Sequence, residues 1–249
     1  MLILLPPSEG KAPAGAGPPV DLASLTLPVL SPVRLRVLKA LVRLCRGREA
    51  TARAVLGLSE RQSEAVVGNQ ALLEAPALRA AELYTGVLYD NLRLTELDGA
   101  ALKRAEEQIL IFSGLWGVLG INDRVPPYRL AMGVKLPRQG PLAGVWRPAL
   151  TRALKPQGLV VDMRSAPYAA AWKGRSSVGV RVLREQVVDG VAKRSVVSHL
   201  AKATRGAVAR DLLVHGVEAD TPQELASALA ELGYSVEVRN GTIEVMIRD

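Results

Sequence analysis

An apolar run, Gln108-Ile109-Leu110-Ile111-Phe112, feeds directly into a long segment of Ser, Gly, Asp, Pro, Tyr and Arg, FSGLWGVLGINDRVPPYRLAMG, over 112–133. The run has the length and branching of a buried strand. After Ser113-Gly114 the chain passes Gly117, Gly120, Asn122 and Asp123, and Pro126-Pro127 then forces an extended backbone. Tyr128 and Arg129 follow at once. A stiffened loop of this kind after a buried strand is where open α/β sheets place ligand sites. The same segment also reads as a plain crossover in which Asp123 and Arg129 pair with each other.

The ends of the chain repeat the theme. Leu2 to Leu5 reads as a buried strand stopped by Pro6-Pro7 and followed by Ser8-Glu9-Gly10-Lys11. Small residues, a Gly and a Lys past a strand have the flavour of a phosphate loop, but the G-x-x-x-x-G-K-[ST] spacing is absent. Glu9 and Lys11 point the same way on an extended backbone, as a proton-transfer pair or a self-neutralising one. Gly158 to Asp162 reads as another buried strand, with Ser165 and Tyr168 in the polar stretch after it. Three strand ends offering Ser8/Glu9/Lys11, Ser113/Asp123/Arg129 and Ser165/Tyr168 are expected to converge on one cleft.

Between these strands the pattern is helical. Ser31-Pro32 is a helix start, with Ser31 as the cap and Pro32 in the first turn, and Val37, Leu38, Leu41, Val42 and Cys45 fall on one face. The opposite face carries Arg34, Arg36, Lys39, Arg43 and Arg46, either a solvated surface or a phosphate-contact surface. Leu56-Gly57-Leu58-Ser59, with Gln62 as box partner of Ser59, joins two helices, as a helix-hairpin-helix-like element or an ordinary helix pair. Helices are also expected over 76–83, 97–107, 146–154 and 198–211, the last with Lys202 and Arg205 on one face. Tyr84 and Tyr89 either stack on a base or sit half-buried with satisfied hydroxyls. Strands are expected over 178–188 and 194–197. Thr221-Pro222-Gln223-Glu224 starts a final helix, and Asn240-Gly241 centres a C-terminal β-hairpin.

Composition narrows the function classes. The chain of 249 residues is 49% hydrophobic, enough for a sizeable core, and carries a formal net charge of +8. Such a balance favours polyanions, although a GC-rich genome also produces Arg-rich chains. The single cysteine, Cys45, excludes an internal disulfide and a cysteine-rich zinc site, and its apolar setting predicts a buried thiol. The two histidines, His199 and His215, make no metal pair, so no metal and no cofactor are expected. No apolar run reaches the length of a membrane span, and Met1 to Leu5 lacks a positive n-region, so a cytoplasmic protein with no membrane partner is expected.

Four blocks in order, LLPPSEGK (4–11), YTGVLYDNL (84–92), SGLWGVLGINDRVPPYRLAMG (113–133) and SHLAKATRGAVARDLL (198–213), resemble the YaaA peroxide-stress family. Trp116 stands where that family usually has Tyr, and Ala131 where it usually has Glu. Asp162 to Tyr168, with Pro167 inside it, matches only part of the corresponding run. The resemblance implies a peroxide-stress protein that binds DNA and lowers damage from intracellular iron, with anion contact at Lys202 and Arg205.

The reading that follows is one mixed α/β domain over 1–249, with a mixed central sheet and surrounding helices. Ser8, Lys11, Tyr84, Ser113, Arg129, Ser165, Tyr168, Lys202 and Arg205 are the candidate ligand and anion contacts. DNA is the expected partner, through a basic cleft. The alternative is an enzyme on a nucleotide or nucleobase, with Glu9, Lys11 or Asp123 as catalytic candidates and Tyr84 or Tyr168 stacking on the base. A bare iron-binding module lacks a ligand cluster in the sequence.

Overall fold

The computed structural model describes residues 1–13, 15–188, 191–195 and 198–248. The strands of the main sheet are β1 (Leu2–Leu5), β2 (Ile109–Ser113), β3 (Gly117–Leu119), β4 (Val160–Asp162), β5 (Ser177–Val188), β6 (Val191–Ser195), β7 (Ser235–Arg239) and β8 (Thr242–Arg248). Their order is β7-β8-β5-β4-β1-β2-β3, with β6 pairing β5 off that path. β1 pairs β2 and β4 in parallel, and β4 pairs β5 in parallel. The apolar, unalternating sequences of β1 and β2 agree with that central position, where both faces are covered. β2–β3, β5–β6 and β7–β8 are antiparallel hairpins, so the sheet is mixed and the fold α/β.

The main helices are α1 (Ser31–Cys45), α2 (Glu49–Leu56), α3 (Ser63–Gly68), α4 (Val87–Leu92), α5 (Gly99–Gln108), α6 (Leu142–Ala153), α7 (Ser198–Val214) and α8 (Pro222–Glu231). α1 to α5 all lie in the crossover between the neighbouring strands β1 and β2. The C-terminal hairpin turns at Asn240 and Gly241, whose φ values of 49° and 69° are those of a tight I′ turn. Thr221 caps α8 by accepting the Glu224 N–H. Gly57, at φ 67°, ends α2, and the Ser59 N–H donates to Gln62 Oε1 at 3.1 Å before α3 begins. α7 lies against α4, and the Leu88 carbonyl occupies the space a side chain at Gly206 would need. Among the described residues no helix is long and apolar enough to cross a membrane.

Three local expectations are corrected. Residues 76–83 are not one helix: Leu78–Arg79 pairs antiparallel with Arg124–Val125, and only Ala80–Leu83 makes a helical turn. The N–H groups of Ala80 and Ala81 donate to the carbonyls of Asp123 and Ile121, so this backbone is recruited by the long loop. Ser31 does not cap α1 but is its first residue, and its hydroxyl donates to the Leu22 carbonyl at 2.7 Å. The strand expected over 194–197 is β6, Val191–Ser195, and Val196 and Val197 lie outside the described residues.

The largest correction concerns Arg34. Its side chain is completely buried and cannot reach a phosphate. Its guanidinium donates to the carbonyls of Trp116 (3.0 Å), Val118 (2.9 Å), Thr26 (2.6 Å) and Leu27 (3.3 Å). Asp123 sits beside it and accepts from the Thr26 N–H and hydroxyl and from the Gly120 N–H. Arg34 thus ties α1 and residues 26–27 to the loop after β2. Burial pulls the Arg34 guanidinium down to about 10, with Asp123 acting in the opposite direction, so it stays charged at neutral pH.

Arg34→Leu strands several carbonyls and an acidic partner in the interior, and should lower unfolding free energy by about 3 kcal/mol or more. Arg36→Leu, on the exposed side of the same helix, should shift it by no more than about 0.5 kcal/mol. Urea midpoints of the two variants check the contrast.

Candidate functional site

In register, Leu5 lies level with Ile111 and Leu4 with Asp162, so β1, β2 and β4 deliver their C-terminal ends to one edge of the sheet. Of the three strand ends expected to converge, two meet fully. Ser113, the last residue of β2, is buried and accepts the N–H groups of Leu115 (3.2 Å) and Trp116 (3.0 Å). Its hydroxyl lies 2.6 Å from that of Tyr128, which lies 2.9 Å from that of Tyr84. Because Ser113 Oγ already accepts two N–H bonds, its own proton goes to Tyr128, and the Tyr128 proton then points at Tyr84. Burial holds the hydroxyls of Tyr84 and Tyr128 above the usual phenol range, so the chain is one of neutral groups.

Lys11 closes this chain from the β1 side. Residue 11 forms an isolated antiparallel bridge with Tyr84, and Lys11 Nζ lies 4.5 Å from the Tyr128 ring centre and 5.6 Å from that of Tyr84. Nζ donates to the Ser8 carbonyl at 2.9 Å. The Ser8 hydroxyl donates to the Gly10 carbonyl and accepts the Thr85 N–H at 3.2 Å. Burial over the two rings pushes the Lys11 amine down to about 8, nearby Arg129 adds to that, and Glu9 opposes it. An amine of this kind is partly neutral near physiological pH and can exchange a proton there.

Glu9 and Lys11 do not neutralise one another, and Asp123 does not pair with Arg129. Instead Glu9 Oε2 accepts from Arg129 Nη2 at 2.8 Å, and the Glu9 carbonyl accepts from Arg129 Nη1 at 3.1 Å. The Glu9 side chain is 83% exposed and that of Arg129 25%. The Arg129 backbone is held by buried Asn69, whose amide donates to the Arg129 carbonyl and accepts its N–H, each at 2.9 Å. Tyr168 reaches the same region, its hydroxyl accepting the Met132 N–H at 3.4 Å.

Other candidate residues fall elsewhere. Asp123 belongs to the Arg34 clamp, where burial raises its carboxyl above the usual range, and it is removed from the catalytic candidates. Ser165 is exposed ahead of a single helical turn, Ala166–Ala169, and is not brought to Ser113 by any hydrogen bond described here. Lys202 is exposed on α7, whereas Arg205 is half-buried and donates to the Val180 carbonyl at 3.2 Å, so the two do not form an anion clamp. Tyr84 and Tyr89 are buried, stack on each other at 5.4 Å and are not platforms for a base. Tyr89 donates to the Pro6 carbonyl at 2.7 Å.

Sequence reasoning missed Asn69, which carries no local signal, and the pair Asp162–Arg164. Arg164 Nη2 meets Asp162 Oδ2 at 2.7 Å with the Arg side chain wholly buried, and its Cζ lies 4.0 Å over the Phe112 ring. Arg164 is thus a buried cation flanked by Phe112 and Trp172 and paired with Asp162 at the end of β4.

Three of the remaining basic residues along and just after α1 lie around a separate hollow. Arg36, Lys39, Arg43 and Arg46 are exposed. Lys39, Arg43 and Arg46, with Gln70, Leu73 and the acidic Glu74, line a groove of about 570 Å³. Arg46 Nη2 donates to the Gln70 carbonyl at 3.0 Å, and Gln70 Nε2 donates to the Cys45 carbonyl at 2.8 Å. Gln70 is the neighbour of Asn69, so one short turn, Asn69–Ala71, stands between the groove and the Arg129 corner. A second hollow of about 360 Å³ borders Tyr84, Thr85 and Tyr89. Cys45 is buried, and its thiol is raised by burial. Among the described residues no group of three or more His, Cys, Asp or Glu side chains is placed to hold a metal ion.

The family model described as peroxide stress protein YaaA matches residues 1–239, and so spans both the strand-end site and the groove. This chain belongs to that family. It is 50% identical over 240 residues to a UPF0246 protein of Streptomyces coelicolor, covering 95% of this chain and 92% of the relative. It is 40% identical over 251 residues to a UPF0246 protein of Corynebacterium efficiens, covering 99% and 98%. A UPF0246 protein of Corynebacterium glutamicum is 37% identical over 243 residues, covering 95% of each. The family is named for peroxide stress. Trp116 is fully buried, 6.1 Å edge-on to Tyr128.

Lys11 has a folded value near 8 against an ordinary value of 10.5, so folding disfavours its charged form. Between those two values the unfolded chain binds more protons, and unfolding free energy should rise with pH across that window. Lys11→Met removes the dependence. The stability of the wild type relative to Lys11→Met should therefore increase from pH 7 to pH 10, read by urea unfolding at each pH. A flat difference refutes the lowered value.

Proposed function

We propose that this YaaA-family protein serves peroxide stress by binding DNA along the basic groove of α1, and that it thereby limits iron-driven oxidative damage. The observation that carries this reading is the groove itself. The larger of the two hollows described is rimmed by three exposed cations of one helix face, Lys39, Arg43 and Arg46. Successive turns of a helix place such residues about 5 to 6 Å apart, close to the spacing of phosphates along a strand. The net charge of +8 supports capture of a polyanion. The iron-limiting part rests on the family resemblance.

A second reading is supported by a different observation. The Ser113–Tyr128–Tyr84 chain, met by a Lys11 amine lowered to about 8, is a proton-transfer arrangement at the C-terminal edge of parallel strands. In that reading the protein is an enzyme on a nucleotide or nucleobase, with Lys11 rather than Asp123 exchanging the proton and Arg129 facing an anionic group.

Charge reversal of Lys39, Arg43 and Arg46 together should weaken duplex DNA binding and lower the slope of log affinity against log salt by about 2 to 3. Fluorescence anisotropy across a salt series measures both. An unchanged slope removes the groove from the interface. Lys11→Met should leave that slope unchanged, since in either reading Lys11 lies outside the groove.

A further inference from the structure

Two features of the strand-end site are left over once its structural bonds are assigned. The first is donor surplus. Lys11 Nζ has one acceptor among the described hydrogen bonds, the Ser8 carbonyl, and two protons to spare. The Tyr168 hydroxyl accepts the Met132 N–H, and its own proton has no described acceptor. The second is the placement of Glu9. Its carboxylate lies on the fork of Arg129 while the side chain is 83% exposed, so it is held from one side only. The charges of Glu9 and Arg129 act on both Lys11 and Tyr168, which places the four groups in one field.

We infer that the Glu9 carboxylate is the internal occupant of an oxyanion site formed by Arg129, Lys11 and Tyr168, and that a phosphate-type anion binds there by displacing it. This deepens the second functional reading by naming the ligand's reactive class, and rests on that reading for the location alone. Glu9 is tethered two residues from Lys11, so it competes at an effective concentration of roughly millimolar. A free carboxylate has the same charge and the same two oxygens and gains little by replacing it. A phosphate dianion brings a second charge and a third oxygen. It can take the Arg129 fork in a bidentate contact and still accept from Lys11 and Tyr168. Glu9 gives way at small cost, since an exposed ion pair of this kind is worth about 1 kcal/mol at most. Its backbone contact to Arg129 Nη1 stays in place, so the loop keeps its anchor when the side chain swings out. The arrangement makes Glu9 a selectivity device: it screens the site against weak monoanions and yields to a ligand of higher charge.

The test is calorimetric titration of the full chain at pH 7 with two probes, methyl phosphate and dimethyl phosphate. The first stands for the terminal phosphate of a free nucleotide and the second for a DNA backbone phosphate. Glu9→Gln should bind its preferred probe about three- to fivefold tighter than the wild type, the gain expected from removing an exposed competitor. Arg129→Gln should lose that binding. Preference for the monoester supports the proposal and identifies a free terminal phosphate as the source; preference for the diester, a monoanion with two free oxygens, overturns it. Equal or weaker binding by Glu9→Gln overturns the proposal, as does undiminished binding by Arg129→Gln or absence of binding to any form. Circular dichroism of each variant separates lost binding from lost folding. Turnover of a nucleotide by wild type, with no tightening in Glu9→Gln, would sink the role of Glu9 and leave the enzyme reading standing.

Discussion

Everything at the strand-end edge depends on satisfying the backbone of a buried irregular loop. Residues 114–116 and 120–132, on either side of the short strand β3, run mostly inside the protein, with Leu115, Trp116 and Val125 at zero exposure. A buried loop without ladder partners leaves carbonyls and N–H groups that water cannot reach, and each unmet one costs about 1 to 3 kcal/mol. Here they are met by side chains from remote elements. Arg34 takes the carbonyls of Trp116 and Val118, and Trp146 Nε1 takes that of Gly114 at 2.9 Å. Ser113 takes two N–H groups, Asp123 takes that of Gly120, and Asn69 takes both groups of Arg129. The close approach of the Leu130 carbonyl explains why residue 114 has no side chain.

That requirement also explains what was legible in the sequence. Strands β1, β2 and β4, the C-terminal hairpin and the cap of α8 follow from local pattern, and each is where its residues place it. Their partners are near in sequence or fixed by the parallel layout. The roles of Arg34 and Asp123 were not legible, because their partners are 82 and 97 positions away. At 100° per residue Arg34 falls in line with Leu38, Leu41 and Cys45 and away from Arg36 and Lys39, so its inward direction follows from helical spacing, while its acceptors do not. The Leu78–Arg79 strand was hidden for the same reason, since its pairing with Arg124–Val125 is made by the loop and not by its own periodicity. Tyr128 was visible as a residue stiffened by Pro126-Pro127, but its position between Ser113 and Tyr84 required the fold.

The consequence is a division of the positive charge. Arg34, Arg164 and Arg205 are spent on carbonyls or a buried carboxylate inside the protein. Arg194 is spent on Glu185, Glu237 and Glu244, across the β5–β6 and β7–β8 hairpins. Lys39, Arg43 and Arg46 rim the groove and Lys11 and Arg129 stand at the strand-end corner, while other exposed cations, such as Arg36 and Lys202, lie outside both. Net charge therefore overstates how much of the surface can bind a polyanion, and position, rather than the count of basic residues, selects the binding face.

The two places share a support. Asn69 fixes the Arg129 backbone, and its neighbour Gln70 receives Arg46 on its carbonyl while gripping the end of α1 through the Cys45 carbonyl. A ligand pulling on Arg46 and a ligand pulling on Arg129 act on opposite sides of one three-residue turn, Asn69–Ala71. Asn69 is buried and bonded at both ends of its amide, so the turn cannot yield at that point without breaking two hydrogen bonds. A stiff element between two binding faces transmits position and absorbs none of it. The groove and the strand-end corner are thus held at a fixed offset from one another.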